Sequence, residues 1–394
     1  MKLNKILLLV ALMLTLCLLS TSLFTACGGT EDDGTGETES SSGTSGDSQL
    51  DKGAEGRDEF ITELGGVSDT YVGAVSEESF ETAEEAASAY VSNEVAGEAN
   101  VTSVEAVSKG QLSSSAVNAL NLPAELKEGL TSVEEFEVSY ALSEEAAASM
   151  SASSRSTIKI KVYVIKYGKD YKYYTPCPVN GETITKSYYE SVFNNEKYDN
   201  CTFVKKSVVS VTMLGVEYEM VITQNIKRDG DKIYFEQSIT GDNELTSQFG
   251  SQTYLAAYME KDESGSDKTY VKTSSYASWS EGYLTGINSA SLVPFYDQYL
   301  DYTYFSKTNF GFALKGDNAL QYYTETINAQ GAGQFLDDAE LDLYAEYYVA
   351  DGTLSGMRME YSAKINVSGI TQTTVGENTM TCTNYGTTVV EKPF

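Results

Sequence analysis

Thiols and carboxylates are the side chains in this sequence best able to do chemistry, and their setting limits what that chemistry can be. The 394 residues include five cysteines, 57 acidic and 27 basic side chains, and no histidine. Without imidazole there is no Ser-His-Asp or Cys-His nucleophile system, no His-ligated zinc and no histidine pH switch. Asp262-Glu263-Ser264-Gly265-Ser266-Asp267 alternates oxygen ligands, but it lacks the sixth-position glycine and distal glutamate of an EF-hand loop and reads as a solvated turn. Glu77, Glu78, Glu81, Glu84 and Glu85 crowd the start of a predicted helix, where the macrodipole favours negative charge. No spacing marks a carboxylate pair for glycoside cleavage, and there is no Walker loop, dinucleotide fingerprint or nucleophile elbow. The sequence therefore nominates no catalytic residue, metal site or cofactor, and we read it as non-enzymatic. A formal charge of −30 argues against nucleic acid as a partner, because phosphate binding needs Lys/Arg clusters.

Cys177 and Cys201 lie 24 residues apart on either side of a short predicted helix capped by Thr185, and they could pair. In the entropic account such a bridge would be worth about 3 kcal/mol. Cys382 is then odd; it alternates with Met380 in a strand, as a small buried hydrophobe would.

The N-terminus carries an address. Lys2 and Lys5 precede an apolar run, Ile6 to Leu19, broken only by Thr15, so residues 1–26 read as an export signal. The run is shorter than the ~20 residues needed to cross a bilayer. Leu23-Phe24-Thr25-Ala26-Cys27 resembles the lipobox of bacterial lipoproteins, in which a thiol after small residues is diacylated and becomes the mature terminus; Phe24 departs from the usual aliphatic residue. The resemblance implies a diacylglyceryl group on Cys27, membrane attachment through it, and a position facing the outside of the cell. Two acyl chains hold a protein stably where one would not. Residues 27–58 are Gly, Ser, Thr, Asp and Glu with almost no apolar side chains, a composition that makes a tether. Removing residues 1–26 takes two lysines and no acids, leaving 25 basic and 57 acidic groups and a charge of −32. That surface repels anionic headgroups and leaves the lipid as the main attachment.

Two blocks follow, 59–200 and 201–394. In the first, Thr82-Ala83-Glu84-Glu85 is a capping box, and Ala83, Ala86, Ala87, Tyr90 and Val91 recur on one helical face before Gly97. Phe136, Val138 and Tyr140 alternate with polar residues, as do Ile158, Ile160, Val162 and Val164, which continue through Gly168 into Tyr171 and Tyr173 as a hairpin. Glu144 to Ser156 is an Ala/Ser stretch, either helix or loop. The second block holds long alternating strands: Val216 to Ile222 and on to Arg228, returning over Ile233 to Ile239; Tyr254 to Glu260 and Tyr270 to Lys272, with Trp279; and Leu341 to Val349 paired with Met357 to Val367. Between them, Leu292 to Leu300 and Ala319 to Ile327 have the length of helices.

The hairpin Gly230-Asp231-Lys232-Ile233-Tyr234, Tyr270-Val271-Lys272 with Trp279, the turn Asp351-Gly352-Thr353-Leu354, and Asn384-Tyr385-Gly386 through Pro393 together resemble the layout of LolA/LppX-like bacterial lipoproteins and carriers, over roughly 201–394. Ser76-Glu77-Glu78-Ser79-Phe80 entering an Ala-rich helix resembles N-terminal regions of uncharacterised exported Firmicute lipoproteins. The expected fold is thus a small α+β domain followed by a strongly curved antiparallel sheet, a half-barrel with helices on its concave face. The resemblance implies a lipid or other apolar ligand against inward side chains, which would be Met220, Ile222, Met357, Met359, Tyr361, Ile365 and Val367. Flexible thioethers suit such a lining. The alternative is a structural or adhesion-type envelope protein that recognises glycan or protein partners through its 29 tyrosines. Clusters such as Tyr322-Tyr323 and Tyr347-Tyr348 must send one ring to each side of a strand or onto neighbouring helix faces. Changing Cys27 to Ala is expected to move the protein from the membrane to the soluble fraction and abolish acylation of the mature terminus by mass spectrometry; unchanged membrane retention refutes the anchor.

Overall fold

The computed structural model describes residues 56–95, 100–120, 122–144, 157–247, 253–282, 292, 302–314, 319, 321, 340–367 and 370–394. The export signal, Cys27, nearly all of the tether, Gly97, most of the Ala/Ser stretch, Tyr322-Tyr323 and all but single residues of the two predicted lid helices lie outside them. The described residues fall into two compact units: one is 70–192, and the other is 193–394 together with the residues up to Asp69.

The smaller unit is a five-stranded antiparallel sheet in the order β1-β5-β4-β3-β2, made of β1 (Gly73–Val75), β2 (Val101–Gln111), β3 (Leu130–Leu142), β4 (Ile158–Tyr167) and β5 (Asp170–Pro176). Alternation puts Phe136, Val138, Tyr140, Val162, Val164 and Tyr173 on one face. The helix Ala83–Tyr90 covers them with Ala83, Ala86 and Ala87, whose small side chains permit close approach. Its capping box forms as the sequence dictates: Thr82 Oγ1 accepts from the Glu85 amide at 3.2 Å, and Glu85 Oε2 accepts from the Thr82 amide at 3.1 Å. The helix then widens into a π turn, Val91–Val95, from which Asn93 donates to the Tyr173 hydroxyl at 3.3 Å. Thr185 caps the helix Lys186–Val192, accepting from the Tyr188 amide at 3.2 Å.

The larger unit is an open sheet of eleven antiparallel strands: β6 (Asn200–Met213), β7 (Val216–Asp229), β8 (Lys232–Gly241), β9 (Tyr254–Lys261), β10 (Asp267–Lys272), β11 (Ser280–Gly282), β12 (Ser306–Thr308), β13 (Gly311–Leu314), β14 (Glu340–Ala350), β15 (Thr353–Val367) and β16 (Ile370–Thr383). Their order is β11-β10-β9-β8-β7-β6-β16-β15-β14-β13-β12. The first and last long strands pair at the centre, from Thr202 opposite Thr383 to Met213 opposite Gln372, so two meanders run outward from one seam. Both edges are three-residue strands, which limits the unpaired backbone left for edge-to-edge association.

This overturns the expected fold. The described residues are mostly β, two large antiparallel sheets without a closed barrel, and not a small α+β domain followed by a half-barrel with helices on its concave face. The long strands found by alternation are present, but the short capped helices between them are accessories to sheets that set each unit's layout. Among the long strands, β2 and β6 escaped the period. Lys205, Lys206 and Ser207 interrupt the apolar pattern of β6, and β2 is an exposed edge strand with little to alternate.

Residues 56–69 belong to the larger unit. The helix Arg57–Glu63 lays Phe60 edge-on against Tyr348, ring centroids 5.4 Å apart, and Leu64 lies over Gly356, where any Cβ would come within 2.8 Å of its Cδ2. Arg57 Nε donates to Glu346 Oε2 at 2.9 Å and Nη2 to the Tyr344 hydroxyl at 2.7 Å, while Tyr344 and Tyr348 donate to the same carboxylate at 2.9 and 3.1 Å. Glu346 is 1% exposed, so Arg57 is the cation that makes its burial tolerable. Arg57→Met is expected to lower stability by about 1–3 kcal/mol, because two tyrosine donors remain; a urea midpoint that does not move would show that the pair contributes nothing.

Candidate functional site

The strongest chemical asymmetry in the larger unit lies between the two faces of six consecutive strands, β14, β15, β16, β6, β7 and β8. Register fixes which residues share a face. One row across the sheet reads Tyr347, Met357, Met380, Lys205, Gln224, Gln237; the next reads Ala345, Met359, Asn378, Ser207, Ile222, Ile239; the next reads Leu343, Tyr361, Gly376, Val209, Met220, Gly241. No acidic residue stands on this face of these strands. Glu217, Glu219, Asp229, Glu236, Glu340, Asp342, Glu346, Glu360 and Glu377, all the acids these strands carry, alternate onto the other face. In a chain of charge −30 this is a sorting of charge, and it leaves Lys205 and Arg228 as the cations of the acid-free side.

The residues nominated from the sequence fall together here. Met220 and Ile222 on β7 and Met359 and Tyr361 on β15 are buried on the same face, with β6 and β16 between the two strands, and Met357 on β15 is partly buried. Ile365 and Val367 lie further along β15 and pair with Gln372 and Ile370, but their side chains are outside the described ones. Gly376 makes room for Tyr361: a Cβ at that position would stand 2.2 Å from the ring. Gly241, at φ 134°, likewise lets β8 close on β7, where a Cβ would meet the Glu219 carbonyl at 2.3 Å.

Polar groups on this face are hydrogen-bonded to one another. Ser207 donates to Asn378 Oδ1 at 2.6 Å, and Gln224 Nε2 donates to Gln237 Oε1 at 2.9 Å. Arg228 donates to the Leu292 carbonyl at 2.9 Å and reaches Asp199 at 3.4 Å. Lys205 differs. It stands between Phe203 and Ser207 on β6 and is flanked in register by Met380 and Gln224; each of these four is more deeply buried than the lysine, which keeps part of its surface accessible. Its ammonium lies 5.6 Å from the centroid of the Phe203 ring and has no hydrogen bond or ion pair among the described residues. Desolvation holds its pKa down at about 8, with the Cys382 thiol the neighbouring titratable group. Burial in turn pushes the Cys382 thiol well above the usual range and Cys201 up to about 12, so neither is a reactive thiolate.

Sequence reasoning missed Lys205, although the signal was present. Two adjacent lysines in a strand point to opposite faces, and the parity set by buried Val209 and Val211 turns Lys205 inward.

The other candidates resolve simply. Cys177, Cys201 and Cys382 are thiols and none is in a disulfide, so the suggested Cys177–Cys201 pair does not form. Asp262 Oδ1 accepts from the Ser264 and Ser266 amides and the Ser264 hydroxyl, bonds that lower its pKa; the loop is a turn closed on itself. No group of three or more metal-binding side chains gathers among the described residues, and no helix there is long and apolar enough to cross a membrane. Tyr347 and Tyr348 do point to opposite sides of β14, Tyr347 stacking on Phe312 at 5.3 Å and Tyr348 meeting Phe60.

No protein-family model matches the chain, and no curated protein does. Among solved structures it is similar to a DUF1329 family protein from Desulfovibrio piger, at 9% identity over 50% of this chain and 91% of that one, with a TM-score of 0.19. At that score the likeness identifies neither fold nor ligand.

Two measurements probe this face. The folded pKa of Lys205 lies below that of the unfolded chain, so between about pH 8 and pH 10 the unfolded state binds more protons and stability rises with pH. Lys205→Met is expected to flatten that rise and to stabilise the protein at pH 7 by about 1–3 kcal/mol; an unchanged pH slope would place the ammonium in bulk water. Gly376→Ala is expected to destabilise by about 1–3 kcal/mol, and Tyr361→Leu in the same chain to recover part of the loss. Strict additivity of the two would refute the close approach.

Proposed function

We propose that this is a lipid-anchored, exported binding protein that holds an apolar molecule against the acid-free face of its eleven-stranded sheet and catalyses no reaction. The observation that carries the reading is the sorting of charge: every acid of six adjacent strands lies on one face, while the other gathers Met220, Ile222, Met359 and Tyr361 around buried, mutually bonded polar groups. Thioether side chains adapt to varied apolar shapes, which suits a ligand with a flexible chain. The export signal, the Cys27 lipobox and the 27–58 tether would hold that face outside the cell at a distance from the membrane. The absence of imidazole supports a non-catalytic role.

Native mass spectrometry of the mature chain carrying Cys27→Ala tests this reading. A co-purifying apolar molecule near one equivalent, removed by organic extraction and reduced in Met220→Glu or Ile222→Glu, is the expected result. A ligand-free protein that also takes up no neutral acyl probe would refute it.

A further inference from the structure

We propose that the apolar face takes a long-chain carboxylate, its acyl chain lying along Ile222 and Met220 and its acid group paired with Lys205. The inference rests on the reading that this face holds an apolar ligand, and it names that ligand's polar end.

Three observations carry it. First, Lys205 is enclosed by Phe203, Met380, Ser207 and Gln224 yet has no carboxylate partner among the described residues, in a protein with 57 acidic side chains. A partly desolvated ammonium without a counter-ion is costly, and a bound carboxylate would restore both the ion pair and a charge-assisted hydrogen bond. Second, the same face carries no acid on any of the six strands, so none of those strands opposes an arriving anion with a fixed negative charge. Third, the remaining cation of the face, Arg228, is already engaged by the Leu292 carbonyl and Asp199. One cation without a partner among the described residues matches a carboxylate better than a phosphodiester, whose oxygens are best met by a fork of donors.

Dimensions agree. From Lys205 to Val211 the strand runs six residues, ~20 Å at ~3.3 Å per residue, flanked on β7 by Ile222 and Met220. That is the scale of an extended long acyl chain. A cationic amphiphile would face repulsion from Lys205, and a neutral one would leave the ammonium unpaired.

The test uses the mature chain carrying Cys27→Ala and two fluorescent acyl probes, cis-parinaric acid and its methyl ester, at pH 7, with palmitate and phosphatidylglycerol as competitors. The acid is expected to bind about tenfold or more tightly than the ester. Lys205→Met should bring the two within about twofold of each other by weakening the acid alone, and Lys205→Arg should keep the preference. Palmitate should displace the acid at lower concentration than phosphatidylglycerol does. Equal binding of acid and ester by the unaltered site overturns the carboxylate assignment while leaving an apolar-ligand protein in place. Stronger competition by phosphatidylglycerol than by palmitate overturns it as well. Loss of both probes in Lys205→Met gives the lysine a structural role and overturns it too. Uptake of neither probe by the unaltered protein removes the underlying reading of the face, and this inference with it.

Discussion

The pairing of β6 with β16 is the constraint on which the larger unit depends. It joins residues 159 to 181 positions apart in the chain, and through a continuous register it fixes the parity of every strand on either side. With β6 held, a slip of one residue at that seam would bring Thr379 or Glu377 opposite Ser207 and turn Asn378 away from the apolar face. The buried Ser207 to Asn378 hydrogen bond crosses the seam itself, so the correct register is also the one in which both polar groups are satisfied. A net charge near −30 makes the consequence large, because the same slip would bring acids from the outer face into the interior.

Sorting every acid of six strands to one side creates a second problem, since part of that side is itself covered. Around β14 and β15 the outer face is buried under the helix Arg57–Glu63, and the acids there must be paired. Arg57 answers Glu346; Arg358, 3% exposed, answers Glu360 and Glu377, donating to the latter at 2.9 Å. Arginine suits both positions, because a planar fork can serve two acceptors at once. Gly356 admits the helix, as the gap above it is filled by Leu64. The last two residues assigned by composition to a tether, Arg57 and Asp58, therefore open the helix that clamps the sheet's outer face.

Much of this was legible in the sequence where local rules suffice. The Thr82 capping box, the Thr185 cap, the hairpins turning at Gly168 and Gly230, and the strand positions of Met220, Ile222, Met359 and Tyr361 all follow from periods of 3.6 and 2 and from turn chemistry. What failed was arrangement. Nothing local says that β16 pairs with β6, so the strands were grouped into a half-barrel that the sheet, with its two free edges, does not form. The site's charged member was missed for a related reason. Lys205 and Lys206 break the apolar alternation of β6, and only the parity of Val209 and Val211 further along the strand shows which of the two turns inward.

Whether an anion can be held by so acidic a chain turns on distance and pairing. At 4 Å a unit pair is worth about 4 kcal/mol at an effective dielectric of 20, whereas exposed charges beyond about 8 Å are largely screened at physiological ionic strength. Acids on the outer face stand a sheet's thickness away from Lys205. Of these, Glu346, Glu360 and Glu377 are already matched by Arg57 and Arg358. The near, partly desolvated lysine therefore dominates the local potential even though the whole molecule repels anions. The global charge would act mainly on encounter, slowing association at low salt, while the local cation would set how long a bound carboxylate stays. The methionine that would be the more stabilising occupant of position 205 would leave the face apolar and the headgroup unread, which is a physical reason for the chain to carry a lysine there.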